Sequence, residues 1–370
     1  MVQASWQVKA EKCRKILQNS LNPEWLLPAD ELPPPDQLDV HSFADTCKLL
    51  TPRELEITET NATDLVAQMA AGTLTAVDTA TAFLKRAHLG HQLLNFATEF
   101  MVEEALARAA ELDAHFASKS PWTNEPQTLM HIDCNNVIYG PTVNPYNRKL
   151  TSGGSSGGEG ASLGFRCAAI GIGTDIGGSV RVPAAFCGAY GLRTTALRNP
   201  YKGVLLAGDG QESIRCVISP LANSLADINL VQKAILDQEP WEEETSLVPL
   251  PWRSAPVVEP SQITVGVIWD DGVVHPHPPV TRGLKHAVSK LKAAGVKMVD
   301  FEPYEHSRGW DILKVLYFPD AGKYQKELLA KGGEPIAPLT DWAFSVAKPE
   351  AISVTENWDL NVRREAYRAE

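Results

Sequence analysis

The 370-residue sequence has no apolar stretch long enough to cross a membrane. Its start, MVQASWQVKAEKCRKIL, has neither the apolar core nor the small-residue cleavage site of a secretory signal, so a soluble, cytoplasmic protein without a membrane partner is expected. Clustered basic charge is also missing. Lys and Arg total 34 against 45 Asp and Glu, and with a net charge of −11 and no basic stripe the chain is not expected to bind nucleic acid. Cysteine is sparse and irregular. Cys13, Cys47, Cys134, Cys167, Cys187 and Cys216 fit neither a disulfide framework nor a zinc spacing and are read as reduced, mostly buried thiols. There is no internal repeat and no low-complexity tract.

What is present reads as a large α/β chain. Apolar spacing predicts helices over Ser5 to Gln18, from Asn61 through Met69, from Thr75 through Ala87, over Val102 to Phe116 and over Thr281 to Ala294. The proline-rich stretch Pro28 to Pro35 reads as an extended linker, and 239–260 as a surface loop. Short apolar or β-branched runs at Ile170 to Ile172, Ile263 to Trp269 and Val296 to Phe301 read as strands. The last two, with the helix between them, predict a βαβ unit in a parallel sheet. The tryptophans at 241, 252, 269, 310, 342 and 358 have no regular period and are assigned to core and loop packing.

Residues 151–193, TSGGSSGGEGASLGFRCAAIGIGTDIGGSVRVPAAFCGAYGLR, hold two glycine/serine clusters separated by a short apolar stretch. Glycine at this density lets backbone N–H groups converge on a ligand, either a phosphate or a developing oxyanion. Phosphate binding is disfavoured. No lysine follows the glycines as in a P-loop, and Glu159 would oppose a phosphate charge. An oxyanion fits better, because Ser179 follows Gly177 and Gly178 and can itself attack the carbonyl carbon. No histidine stands in a recognisable triad: His131, in TLMHIDCNN, reads as a loop residue. Ser155, in the other cluster, offers a hydroxyl relay instead. Cys187 lacks an activating partner and reads as a small buried residue. His275 and His277, in HPHPP, read as a surface turn before a helix.

The 151–193 segment resembles the signature of the amidase-signature family. Thr123 to Asn147 and the tryptophan-proline pattern from Trp241 to Trp252 are similar to its fungal acetamidase-type members in particular. The resemblance implies an α/β fold with a mostly parallel, twisted mixed sheet sandwiched by helices, here incomplete. Residues 1–60 would be a helical extension and linker, and residues 61–370 a single domain. It further implies hydrolysis of a small carboxylic amide to acid and ammonia, with no metal or organic cofactor. Ser179 would be the nucleophile and Ser155 the relay serine beside an unusual cis peptide bond. Ile176, Gly177, Gly178 and Ser179 would supply oxyanion N–H groups, Leu129 would contact substrate through its backbone, and Asp175 and Arg181 would support the loop. A homodimer is left open.

The same resemblance implies a Ser–cisSer–Lys triad whose lysine ends a buried strand in a G-x-P-x-x-x-K-D motif. The sequence contains no such motif. Lys119, the one lysine between Lys85 and Lys149, reads as a solvated loop residue, and the family's lysine-bearing segment is expected to be missing near 119–122. The C-terminal helical run ENWDLNVRREAYRAE stands where the family continues, so a further segment is expected to be missing there. Impaired turnover is the expectation, with a catalytically inactive amidase-like protein as the alternative.

Overall fold

A computed structural model describes residues 6–114, 132–204, 208 and 210–370. The helices are α1 (Trp6–Ser20), α2 (Pro52–Glu59), α3 (Ala62–Ala70), α4 (Ala76–Leu94), α5 (Val102–Ala114), α6 (Gly157–Gly164), α7 (Arg181–Cys187), α8 (Leu225–Leu236), α9 (Pro278–Ala293), α10 (His306–Tyr317), α11 (Lys323–Gly332), α12 (Pro338–Ser345) and α13 (Val354–Ala369). The strands are β1 (Asn135–Asn136), β2 (Gly140–Pro141), β3 (Val143–Asn144), β4 (Asn147–Thr151), β5 (Ile170–Asp175), β6 (Tyr190–Gly191), β7 (Val217–Ala222), β8 (Thr264–Val267) and β9 (Lys297–Asp300). None of the described helices is long and apolar enough to cross a membrane. The chain divides into two compact units, Met1–Trp252 with Tyr324–Ala343 and Arg253–Lys323 with Phe344–Glu370. The first division falls inside the 239–260 loop.

In the first unit the N-terminal residues belong to the core. Leu27, Val40, Ala44 and Leu50 pack with Leu89, Leu93 and Leu94 of α4 and with Ala161 and Phe165. Helix α4 starts where expected, with the Thr75 hydroxyl accepting from Asp78 N–H at 3.0 Å. It runs seven residues past Ala87, however, to a left-handed Asn95 (φ 55°). Tertiary packing carries it through Gly90, where an added Cβ would lie 2.4 Å from Cys167 Sγ. Arg86, only 1% exposed, ties α4 to its neighbours: it donates to Phe165 O and the Thr58 hydroxyl, both at 2.8 Å, and pairs with Glu59 at 2.7 Å.

The fold class is α/β, but strand directions differ from the mostly parallel expectation. Among the described residues four of the five pairings are antiparallel, in small separate sheets. The reason is visible in the central sheet, ordered β5-β7-β6. The crossover through α7 leaves β5 and β6 running the same way, and β7 returns between them antiparallel to both. In β7 the carbonyls of Ile218 and Pro220 face the β6 side, where Thr194, Asn199 and Leu192 donate to them. Val217, Ser219 and Leu221 therefore face β5, pairing with Asp175, Gly173 and Gly171. By the same alternation Ile170, Ile172 and Thr174 turn their N–H and C=O groups to the outer edge of β5.

The second unit contains the expected βαβ unit, β8 and β9 pairing in parallel across α9. Helix α9 begins at Pro278 rather than Thr281, because proline is well suited to the first helical turn, and His277 becomes its N-cap. His275 pairs with Asp270 at 2.6 Å. Trp310 and Trp358, expected in core or loop packing, lie exposed on α10 and α13.

Two histidines on α4 couple the first unit to pH. His88 is fully buried, accepting from Asn22 N–H at 3.0 Å and donating from Nδ1 to Leu84 O at 2.7 Å. His91 accepts from Ala97 N–H at 3.2 Å between Phe96 and Phe100. Burial and the neighbouring His88 depress the His91 pKa to about 4. Its folded value lies below the unfolded value of about 6.5, so between these two the unfolded chain binds a proton that the fold refuses. Stability is therefore full above about pH 6.5 and falls as pH drops towards 4. Urea unfolding at pH 7 and pH 4.5 should differ by about 2 to 3 kcal/mol, and His91→Gln should remove most of the difference.

Candidate active site

The two glycine/serine clusters meet at the end of the central sheet. Strand β5 ends at Asp175, residues 176–180 turn, and α7 begins at Arg181. The other cluster forms the turn from Gly153 to Ser156 and the start of α6. The two are joined by a hydrogen bond from Ser156 N–H to Ser179 O at 3.0 Å. The Ser156 hydroxyl also bridges to β5, accepting from Thr174 N–H at 3.2 Å and donating to Thr174 O at 3.4 Å. Ser155 and Ser179 are half-buried and open to solvent, whereas Ser156, Thr174, Asp175 and Val180 around them are buried.

Helix α6, GGEGASLG, has a poor intrinsic propensity for helix and exists because of what it packs against. A Cβ at Gly157 would lie 2.4 Å from Cys134 Cβ, and one at Gly160 would lie 2.7 Å from Pro183 Cβ of α7. Leu163, Val180, Ala184 and Leu221 form the apolar base beneath the turns. At Gly154 the constraint is tighter still. A Cβ there would sit 1.9 Å from Asp133 O, because the Asp133 backbone crosses directly over it. The Asp133 carboxylate accepts from the Thr151 hydroxyl at 2.5 Å and from Cys134 N–H at 2.8 Å. The Gly154–Ser155 peptide bond is cis, as the family resemblance implies.

Asp175 organises the other turn. Its side chain has no solvent exposure and accepts from Gly178 N–H at 2.8 Å, Val180 N–H at 3.2 Å and Arg181 N–H at 3.3 Å. The Arg181 guanidinium adds two bonds, at 3.0 and 2.9 Å. Burial alone would raise the Asp175 pKa, but the Arg181 side chain and the backbone donors outweigh it and hold the carboxyl below its usual range. The Gly178 N–H is engaged by Asp175, and its φ is +129°. The N–H groups of Ile176, Gly177 and Ser179 have no hydrogen-bond partner among the described residues.

Cys187 is fully buried and burial pushes its thiol up to about 12, which suits packing and not nucleophilic attack. All six cysteines are free thiols; Cys167 is also buried, and the other four are partly exposed. Ser155 opens onto a cleft of about 640 Å³, mouth solvent included, walled by residues 95–98, by Cys134, Asn136 and Tyr139, and by Glu159 and Ile172. Ser179 does not line it. Leu129, Lys119 and His131 lie outside the described residues. Sequence reasoning missed Ser156, Thr174 and Asp133. The adjacent Ser-Ser pair was a signal for Ser156, but a residue acting through backbone contact, like Asp133, leaves none.

Residues 122–369 match the family model described as Amidase. The chain belongs to the amidase family. Its relatives are amide-hydrolysing enzymes. The acetamidase of Aspergillus oryzae is 35% identical over 430 residues, taking in 100% of this chain and 78% of its own length. The acetamidase of Emericella nidulans is 35% identical over 99% of this chain and 77% of its own. A solved structure of fatty acid amide hydrolase superposes with a TM-score of 0.92 at 34% identity, covering 98% of this chain and 74% of that one. An alignment of 430 positions against a chain of 370 leaves about 60 positions filled by the A. oryzae amidase alone.

Proposed function

We propose that this member of the amidase family hydrolyses a small carboxylic amide through an acyl-enzyme on Ser179, with Ser155 relaying the proton. The observation that supports this best is the Ser156 N–H to Ser179 O bond, which joins the turn that carries Ser155 to Ser179, both of these serines being partly exposed among buried neighbours. Ser179 Oγ bonds to the amide carbon while its proton passes through Ser155 to the nitrogen. The C–N bond then breaks, ammonia leaves, and water cleaves the resulting ester to free acid and Ser179. The N–H groups of Ile176, Gly177 and Ser179 receive the tetrahedral oxyanion. A small substrate is suggested by the relatives named acetamidase.

One observation favours the second reading, an amidase-like protein without turnover. No lysine or histidine side chain bonds Ser155 or Ser179 among the described residues, and Lys85 is held by Glu54 at 2.6 Å. A relay serine with no base among the described residues would return protons slowly, lowering turnover through Ser179 by orders of magnitude while leaving it above the rate of oxyanion stabilisation alone. Ammonia release from acetamide should exceed that of Ser179→Ala by at least about tenfold. Equal rates in the two would leave only the inactive reading.

A further inference from the structure

We infer that the outer face of α13 is a contact between two copies of this chain, which meet there antiparallel about a two-fold axis. This is independent of the roles given to Ser155 and Ser179. Within the second unit α13 packs on α10. Leu360 is buried, an added Cβ at Gly309 would lie 2.8 Å from the Tyr367 ring, and the Tyr367 hydroxyl donates to Tyr304 O at 3.1 Å. The opposite side of the helix is open. Val354, Trp358 and Val362 follow one another at four-residue steps and are 64%, 65% and 69% exposed, and Ala366 extends the stripe. A solvated helix face carries polar residues at such positions, whereas a tryptophan between two valines marks a surface that another surface covers.

The order of charge along α13 selects the partner. Residues 354–361 carry two acids, Glu356 and Asp359, and no base, whereas 362–369 carry three arginines and one acid, Glu365. A partner of one charge sign would suit one half and be repelled by the other. A second α13 running the opposite way suits both, because each acidic half then faces a basic half. Antiparallel alignment centred on Leu360 sets Trp358 beside Val362 of the second copy and Val354 beside its Ala366, the larger side chain against the smaller each time. Within the chain Glu356 meets Lys348, and Glu365 meets Arg364 and Arg368. That leaves Asp359 and Arg363, exposed on one border of the stripe and without an ion pair among the described residues. The alignment brings Asp359 within reach of Arg363 of the second copy, twice per dimer. A contact 16 residues long spans about 24 Å, less than a permanent dimer needs, so association should vary with concentration.

The test is sedimentation equilibrium of the full chain between about 1 and 200 µM. The mass should rise with concentration from 40.3 kDa towards twice that value and no further. Trp358→Glu should weaken association at least about tenfold. Asp359→Arg sets like charges opposite each other at both ends of the contact and should also weaken it at least about tenfold at low salt. Adding Arg363→Asp to that variant should restore association, a result that a misfolded chain cannot give. A mass of 40.3 kDa at every concentration would overturn the inference and leave the stripe to a different partner. Association that ignores Trp358→Glu, or that the charge swap fails to restore, would overturn it as well. So would growth beyond the dimer, which a two-fold contact closes off.

Discussion

Asp175→Asn should lower stability by about 2 to 4 kcal/mol and slow covalent modification of Ser179 by roughly 10- to 100-fold. The two carboxylate oxygens together accept five hydrogen bonds, and every partner is a donor. Asparagine turns one of those oxygens into an NH₂ facing N–H groups, so either the Gly178 or the Val180–Arg181 contact is lost and replaced by repulsion. The turn that points Ile176, Gly177 and Ser179 N–H groups outward then loosens. Arg181 is about half exposed and can be solvated when unpaired, which keeps the stability loss below that of a fully buried pair. The sign with pH follows from the depressed Asp175 pKa: this stabilisation is present above the unfolded carboxyl value and is lost as pH falls through the lower folded value. Urea titrations at pH 7 and pH 3 should therefore separate wild type from variant at the first and show a smaller gap at the second.

Gly154→Ala should cost at least about 4 kcal/mol, or else displace Ser155. The obstacle is backbone and not a side chain that can swing away. The new Cβ would meet Asp133 O at 1.9 Å, its carbonyl carbon at 2.4 Å and its nitrogen at 2.6 Å. Asp133 cannot easily retreat, since its carboxylate is bonded to Thr151 and to Cys134 N–H. A urea unfolding midpoint measures the first outcome, and the rate of Ser179 modification in whatever fraction remains folded measures the second. Unchanged values for both would show that the crossing of Asp133 over Gly154 is not a feature of the folded chain.

The parts legible in sequence were those with local causes. Thr75 announces α4 through its own hydroxyl, and the β8–α9–β9 unit shows in a period that switches from strand to helix and back. The glycine/serine segment announces its tight turns because the need for close backbone approach is written in residue type. What could not be read has tertiary causes. The extension of α4 past Ala87 rests on the burial of His88, Leu89, Leu93 and Leu94, and the antiparallel return of β7 between β5 and β6 is set by pairing across 30 or more residues of chain. The engagement of Gly178 N–H by Asp175 likewise depends on a turn geometry that the letters TDIGGS do not specify.

The central proposal is that Ser179 is the nucleophile, and the most direct measurement is the site of a covalent adduct. The folded chain is treated with an alkyl fluorophosphonate, which a serine made nucleophilic by its surroundings attacks at phosphorus with loss of fluoride, and the modified residue is located by peptide mass spectrometry. A single phosphonyl group on Ser179 is expected, formed more slowly in Ser155→Ala and absent in Ser179→Ala. An adduct on another residue, or none on a chain shown to be folded, would contradict it.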